Sequence, residues 1–274
     1  MLNDNDRQGL HTTHRSLAVV EYVRRRNGAT FGEIREGLDM AKSTTSQHLR
    51  TLRHHGLLRK EDGYYDVGLR FLNLGETARH RLRGFKSVSE TVNSLADRTD
   101  EEADFLAETA GRAITIQISY DVNNPFREDA VDASDNHWRI GTLYEIHSLA
   151  GGKAILSGFE TERVREIIAR HGLAANTEHT ITDAEGLFAE LERIRERGYA
   201  ISDQEYIEGL CAVGCRVEGP LGSVLGALGV NVPKYRFEGV DSEITDVLME
   251  EADALEKRLA GESSERIGVP ASTD

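Results

Sequence analysis

The stretch from Lys42 to Val67 constrains the fold more than any other part of the 274-residue chain. It opens with a helical segment that starts near Lys42-Ser43, runs to His54 and is ended by Gly56, with Thr45, Leu49 and Leu52 recurring on one face. It continues into Leu57-Leu58-Arg59-Lys60-Glu61 and Tyr64-Tyr65-Asp66-Val67, two short runs joined by Asp62-Gly63, a dipeptide that accepts the positive φ angles of a tight hairpin turn. Upstream lie two more helix signals. From Thr12 to about Asn27, Leu17, Val20 and Val23 repeat every three residues and Arg24, Arg25 and Arg26 crowd the last turn, where cations suit the helix dipole. From Thr30, a capping box with Glu33 precedes the stripe Phe31, Ile34 and Leu38. Three helices followed by a hairpin predict a winged helix-turn-helix over residues 12–68, preceded by a flexible N-terminus, 1–11.

The outward face of the third helix suits one task. Ser43, Thr44, Ser46, Gln47 and Arg50 are small or hydrogen-bonding side chains, unlike the Glu/Lys mixture of an ordinary solvated face. Base edges in the major groove present paired donors and acceptors, and bulk would block entry. These residues, with Lys42 at the helix start and Arg59 and Lys60 on the wing near phosphate, form the expected contact set for double-stranded operator DNA. His54 and His55 are read as surface residues near phosphate. The plainer alternative is a small helical interaction module with a basic surface.

The formal charge of −14 opposes that reading only until it is divided along the chain. Residues 1–86 hold 16 Lys and Arg against 10 Asp and Glu, leaving +6; residues 87–274 hold 17 against 37, leaving −20. One end is built to approach something negative and the other is not. Arg outnumbers Lys 27 to 6, and with the acidic excess this fits a salt-adapted cytoplasm, and an acidic mesophilic one as well. No run approaches the ~18 consecutive apolar residues of a membrane helix. The N-terminus lacks the apolar core and cleavage site of a leader, so a cytoplasmic protein without membrane partners is expected.

Leu69, Leu72, Gly75, Ala78, Leu82 and Phe85 form a narrow seam over residues 69–86, expected to be one linker and dimerisation helix that pairs two DNA-binding heads, the alternative being a helix packed on its own chain. Beyond a helix at Val88 to Arg98, Ala103–Glu108 and Ala113–Tyr120 read as a hairpin, and Asp121–Asn136 as a mobile loop or lid. A strand then runs into Gly151-Gly152-Lys153 at a helix start, where backbone amides and a Lys could hold an anion. The phosphate-loop spacing is absent because Ala154 follows the Lys. Two helices follow, the second capped by Thr182, and then strands at Tyr199–Asp203, Leu210–Val217 and Ser223–Val232 and a final helix from Ser242. The order describes an α+β sensing domain over 87–260, with a flexible tail, 261–274.

At four places in order the residues resemble the IclR family of transcriptional regulators. They are Lys42-Ser43-Thr44 through Leu49 and Leu52; His147–Ala150 with Gly152-Lys153-Ala154; Arg195–Ala200 with Asp203, Glu205 and Gly209; and Ala227–Pro233. The resemblance, over about residues 12–260, implies a GAF-like effector-binding domain, a homodimer or dimer of dimers, and control of catabolic operons by organic acids, aromatics or sugar-derived metabolites. Carried over by position, it implies a pocket among Leu143, Ile146, Gly152, Lys153, Ala154, Asp203, Ala212, Gly229 and Asn231. No cofactor, metal or catalytic residue is implied. The chain departs from the family at Leu210-Cys211-Ala212-Val213-Gly214-Cys215-Arg216, where the family's Cys is displaced by one residue and its Pro is replaced, and at Gly229 and Asn231, where hydroxyl residues are frequent.

Two other readings stay open on the sequence. One is a thiol redox sensor or enzyme using Cys211 and Cys215, although i and i+4 on one strand lie about 13 Å apart, beyond disulfide reach. The other is a dimerisation scaffold with no ligand.

Overall fold

The computed structural model describes residues 9–120, 140–220 and 222–266, so the expected lid at Asp121–Asn136 lies outside the described residues. The chain divides into two compact units, 1–81 and 82–274. In the first, α1 (His11–Arg25), α2 (Phe31–Gly37) and α3 (Lys42–His54) surround a core of Val19, Val23, Ile34, Leu49, Leu52 and Leu58. The strands β1 (Ala29–Thr30), β2 (Leu58–Glu61) and β3 (Tyr64–Val67) form an antiparallel sheet in the order β1-β3-β2. Asp62 and Gly63 turn the wing with φ of 47° and 91°, values a side chain larger than Asn or Asp resists. The capping box on α2 is formed: Glu33 N–H donates to Thr30 Oγ1, and Thr30 N–H donates to Glu33 Oε2. In α1 the buried pair is Val19 and Val23, while Leu17 is 61% exposed. Its stripe follows i, i+4 rather than the three-residue repeat.

The seam at 69–86 is not one helix. After α4 (Arg70–His80) the chain breaks, and α5 (Phe85–Thr99) starts at Gly84, which adopts a left-handed conformation. No residue of α4 is buried, and Leu69, Leu72 and Leu74 are exposed.

The second unit is built on a six-stranded antiparallel sheet in the order β6-β5-β4-β9-β8-β7. Its strands are β4 (Glu102–Thr109), β5 (Arg112–Ser119), β6 (Leu143–Tyr144), β7 (Ala200–Asp203), β8 (Leu210–Glu218) and β9 (Val224–Pro233). Because strand side chains alternate, each central strand feeds two cores. Phe105, Val213, Leu228, Val230 and Val232 pack with α5 and α9 (Lys234–Arg266). Leu106, Ala113 and Ala227 pack on the other face with α6 (Ala150–Ser157), α7 (Thr161–His171) and α8 (Ala184–Arg197). Each fully buried Leu or Ile stabilises by about 1.5–3 kcal/mol relative to exposure.

Two boundaries differ from expectation. The helix α8 is capped by Asp183, whose carboxylate accepts from Gly186 N–H, not by Thr182. The last helix begins at Lys234, eight residues before Ser242; Phe237 is buried near its start, and the stripe Ile244, Leu248, Ala252, Leu255 and Leu259 follows. Among the described residues no helix is long and apolar enough to cross a membrane, and no group of three or more His, Cys, Asp or Glu could hold a metal ion.

Candidate functional site

The first candidate site is the outer face of α3. Thr45, His48, Leu49 and Leu52 are buried, which holds the helix against the first unit, while Lys42, Ser43, Ser46, Gln47 and Arg50 are exposed and Thr44 is half-buried. Sequence periodicity missed His48. Its Nδ1 hydrogen-bonds Ser16 Oγ at 2.8 Å, tying α3 to α1, and burial lowers its pKa, so the neutral ring is favoured. Ala41 at the N-cap has no side-chain bond to the first turn, so the amides there keep their donors for another acceptor. Arg53, three residues after Arg50 and also exposed, extends the basic face. On the wing, Arg59 lies 3.5 Å from both Glu61 and Asp66, and the Lys60 ammonium sits 5.1 Å from the Tyr65 ring centroid. Exposed pairs of this kind are worth little and are readily exchanged for phosphate.

The second is a narrow cleft between the sheet and α6. Asp104 of β4 and Gly229 and Asn231 of β9 line it from the sheet, Ala150 and Gly151 from α6, and Tyr144 and Tyr206 stand edge to face with centroids 5.4 Å apart. Of the family-implied pocket residues, Ala212, Gly229 and Asn231 line this cleft. Leu143 is half exposed on β6, and Ile146 is buried beside a second, smaller cleft with Arg112 and His171. Gly152, Lys153 and Ala154 are buried within α6. Asp203, on edge strand β7, receives Lys234 Nζ at 3.0 Å and the Cys211 thiol at 3.2 Å.

The Gly-Gly-Lys segment cradles no anion. A Cβ at Gly152 would collide with the Ile146 carbonyl, so the glycine serves close packing. The Lys153 ammonium is buried, donating to Ile201 O at 2.8 Å and to the Glu205 carboxylate. Burial raises the pKa of Glu205, and the Lys153 charge opposes that rise.

At the polar centre of the cleft Asn231 was expected from the family resemblance, while Glu102 and Asp104 went unread in the sequence. Asn231 Nδ2 donates to Asp104 Oδ2 at 2.8 Å and to Glu102 Oε1 at 3.0 Å. Burial pushes Asp104 up to about 6, and burial together with the Asp104 charge pushes Glu102 up to about 8. Asp104 Oδ1 is buried and accepts no hydrogen bond among the described residues. The signal was an acid inside the apolar strand Ala103-Asp104-Phe105-Leu106-Ala107. Cys211 and Cys215 are both buried on β8, and burial pushes each thiol up to about 12. The thiolate that redox chemistry needs is therefore scarce near neutral pH.

Comparison with known proteins places both units. Residues 12–62 match the profile described as IclR helix-turn-helix domain, and residues 77–257 match that of the bacterial transcriptional regulator IclR C-terminal. The chain is 27% identical over 261 residues to ArcR of Halobacterium salinarum, named as an HTH-type transcriptional regulator, covering 94% of this chain and 97% of that one. It is 33% identical over 224 residues to an HTH-type transcriptional regulator of Mycobacterium tuberculosis, covering 81% and 82%. In fold it resembles the crystal structure of the Thermotoga maritima IclR, with a TM-score of 0.68 at 23% identity over 92% of this chain and 100% of that one. It also resembles an IclR-type transcriptional regulator of Alicyclobacillus acidocaldarius, with a TM-score of 0.73 at 23% identity, covering 91% and 98%.

Proposed function

The chain belongs to the IclR family of transcriptional regulators, and from that premise we propose that it holds double-stranded operator DNA under the control of a small metabolite bound beneath α6. The observation that carries this reading is the division of α3, with one stripe buried and Ser43, Ser46, Gln47 and Arg50 exposed, within residues 1–86 of net charge +6. Lys42, Thr44, Arg59 and Lys60 bind and position backbone phosphate, and the outward polar side chains read base edges. The cleft, apolar walled with a few convergent polar groups, is the effector site. The protein acts in the cytoplasm on a catabolic operon as a homodimer or dimer of dimers. The exposed leucines of α4 support pairing, since an amphipathic helix with no buried residue leaves its apolar stripe to a partner.

The acidic body orients the head by repelling DNA, and the excess of Arg and of acidic residues suits a saline cytoplasm. Near 1 M salt the Debye length is about 3 Å, so phosphate attraction is muted and the groove contacts carry more of the affinity.

Footprinting the full-length protein on DNA upstream of its own gene tests the reading. A discrete protected site is expected, bound at least about 10³-fold more tightly than random duplex at matched salt. Uniform affinity for every duplex would overturn it.

A further inference from the structure

Resting on the reading of the cleft as the effector site, we propose that its occupant is a small organic cation, an ammonium or amidinium whose N–H donates to Asp104 Oδ1.

Asp104 is 4% exposed, and it lines the cleft with one carboxylate oxygen that no described residue satisfies. An ionised carboxylate oxygen only accepts, so the missing partner is a donor, and leaving it unmade costs the desolvation of that group. The neighbouring chemistry specifies the charge of that donor. Glu102 shares the Asn231 amide with Asp104 and also hydrogen-bonds the Tyr120 hydroxyl. These donors are neutral. The buried ammonium of Lys153 is engaged by Glu205, and Lys234 pairs with Asp203 at the sheet edge. Two acids held together by neutral donors repel an anionic ligand and are stabilised by a cation.

Two further features fit the same class. Gly229 is the ladder partner of Asp104 and carries no side chain where a Cβ would crowd Oδ1, and both residues line the cleft. Tyr144 and Tyr206, packed edge to face, line the cleft as aromatic wall, and Leu106 and Leu149 take an apolar body. A metal ion fits less well, since no cluster of three or more ligating side chains exists among the described residues.

The experiment is calorimetric titration of the full-length protein at about pH 7.5 with two charge-swapped pairs of similar shape, benzamidinium against benzoate and n-butylammonium against butyrate. The expected result is that each cation binds at least about tenfold more tightly than its anion, and that Asp104→Asn removes at least tenfold of the cation's affinity. Should Asp104→Asn fail to fold, wild-type protein still decides the matter. Cation affinity is then expected to rise from about pH 5.5 to 8.5, because binding displaces protons from the acid pair. Equal or tighter binding of benzoate or butyrate would overturn the cation class while leaving the cleft as a ligand site. Absence of binding by every probe up to about 10 mM would overturn the cation proposal and the effector reading of the cleft together.

Discussion

A Cβ placed on Gly229 would lie 2.7 Å from Oδ1 of Asp104, its partner across the β4–β9 ladder. Gly229 does not adopt a positive φ, so the position needs glycine for space. Gly229→Ala should therefore force the buried Asp104 carboxylate to move, costing about 1–3 kcal/mol, a typical overpacking penalty. Urea unfolding would show a lower midpoint at unchanged slope. An unchanged midpoint would mean that Asp104 relaxes into the cleft without loss.

The Lys153–Glu205 pair makes a separate prediction. Both groups are buried, and Glu205 Oε2 has no hydrogen-bond partner among the described residues. Removing one charge strands the other, so Lys153→Met should cost about 3–5 kcal/mol. Adding Glu205→Leu to that variant should restore much of the loss. A double variant no more stable than the single one would show that the pair is not coupled in this way.

Cys211 and Cys215 are expected to alkylate with iodoacetamide far more slowly in the native protein at about pH 7.5 than after unfolding, since burial holds both thiols near 12. Rapid native labelling of either would revive the thiol-sensor alternative.

What the sequence made legible follows from range. The wing, the capping box of Thr30 and Glu33, and the buried face of α3 depend on residues within a few positions, and pattern reads them directly. The linker seam misled because Leu82 and Phe85 continue the spacing of Leu69 and Leu72, although α4 ends at His80 and a new helix starts after the left-handed Gly84. The polar centre of the cleft was harder. Glu102, Asp104 and Asn231 are 129 and 127 positions apart across the bonds that join them, and only the β4–β9 register brings them together. The glycines and lysine of α6 resembled an anion cradle in sequence, yet the helix is buried on all sides and its lysine looks inward.

If α3 enters the major groove, its outward residues should differ in what they cost. Gln47→Ala and Arg50→Ala should each lose about 1–3 kcal/mol against the cognate operator and relax discrimination at the base pairs they face. Lys60→Ala should weaken all duplexes about equally and lower the salt slope of binding by about 1. Fluorescence anisotropy on operator and scrambled duplexes at several salt concentrations separates the two patterns. A uniform loss from Gln47→Ala would remove it from base readout.

The acid pair also sets a pH dependence of stability in the unliganded protein. Folding raises Glu102 from the ordinary 4.5 to about 8 and Asp104 from 3.8 to about 6, with burial as the first cause of each. Between those ordinary and raised values the native state binds more protons than the unfolded chain, so stability falls as pH rises. The contribution is fully present below about pH 4 and is lost progressively up to about pH 8. Other acids superimpose their own trends, Glu205 in the same sense and Glu21 and Glu33 in the opposite one. The difference between wild type and a Glu102→Gln, Asp104→Asn variant isolates the pair. Relative to the variant, wild-type stability in urea should decline steadily from about pH 5 to 8.5. A saturating cation should flatten that decline, because it stabilises the ionised acids that burial otherwise penalises. A difference that stays constant with pH would show that both groups titrate as they do in the unfolded chain.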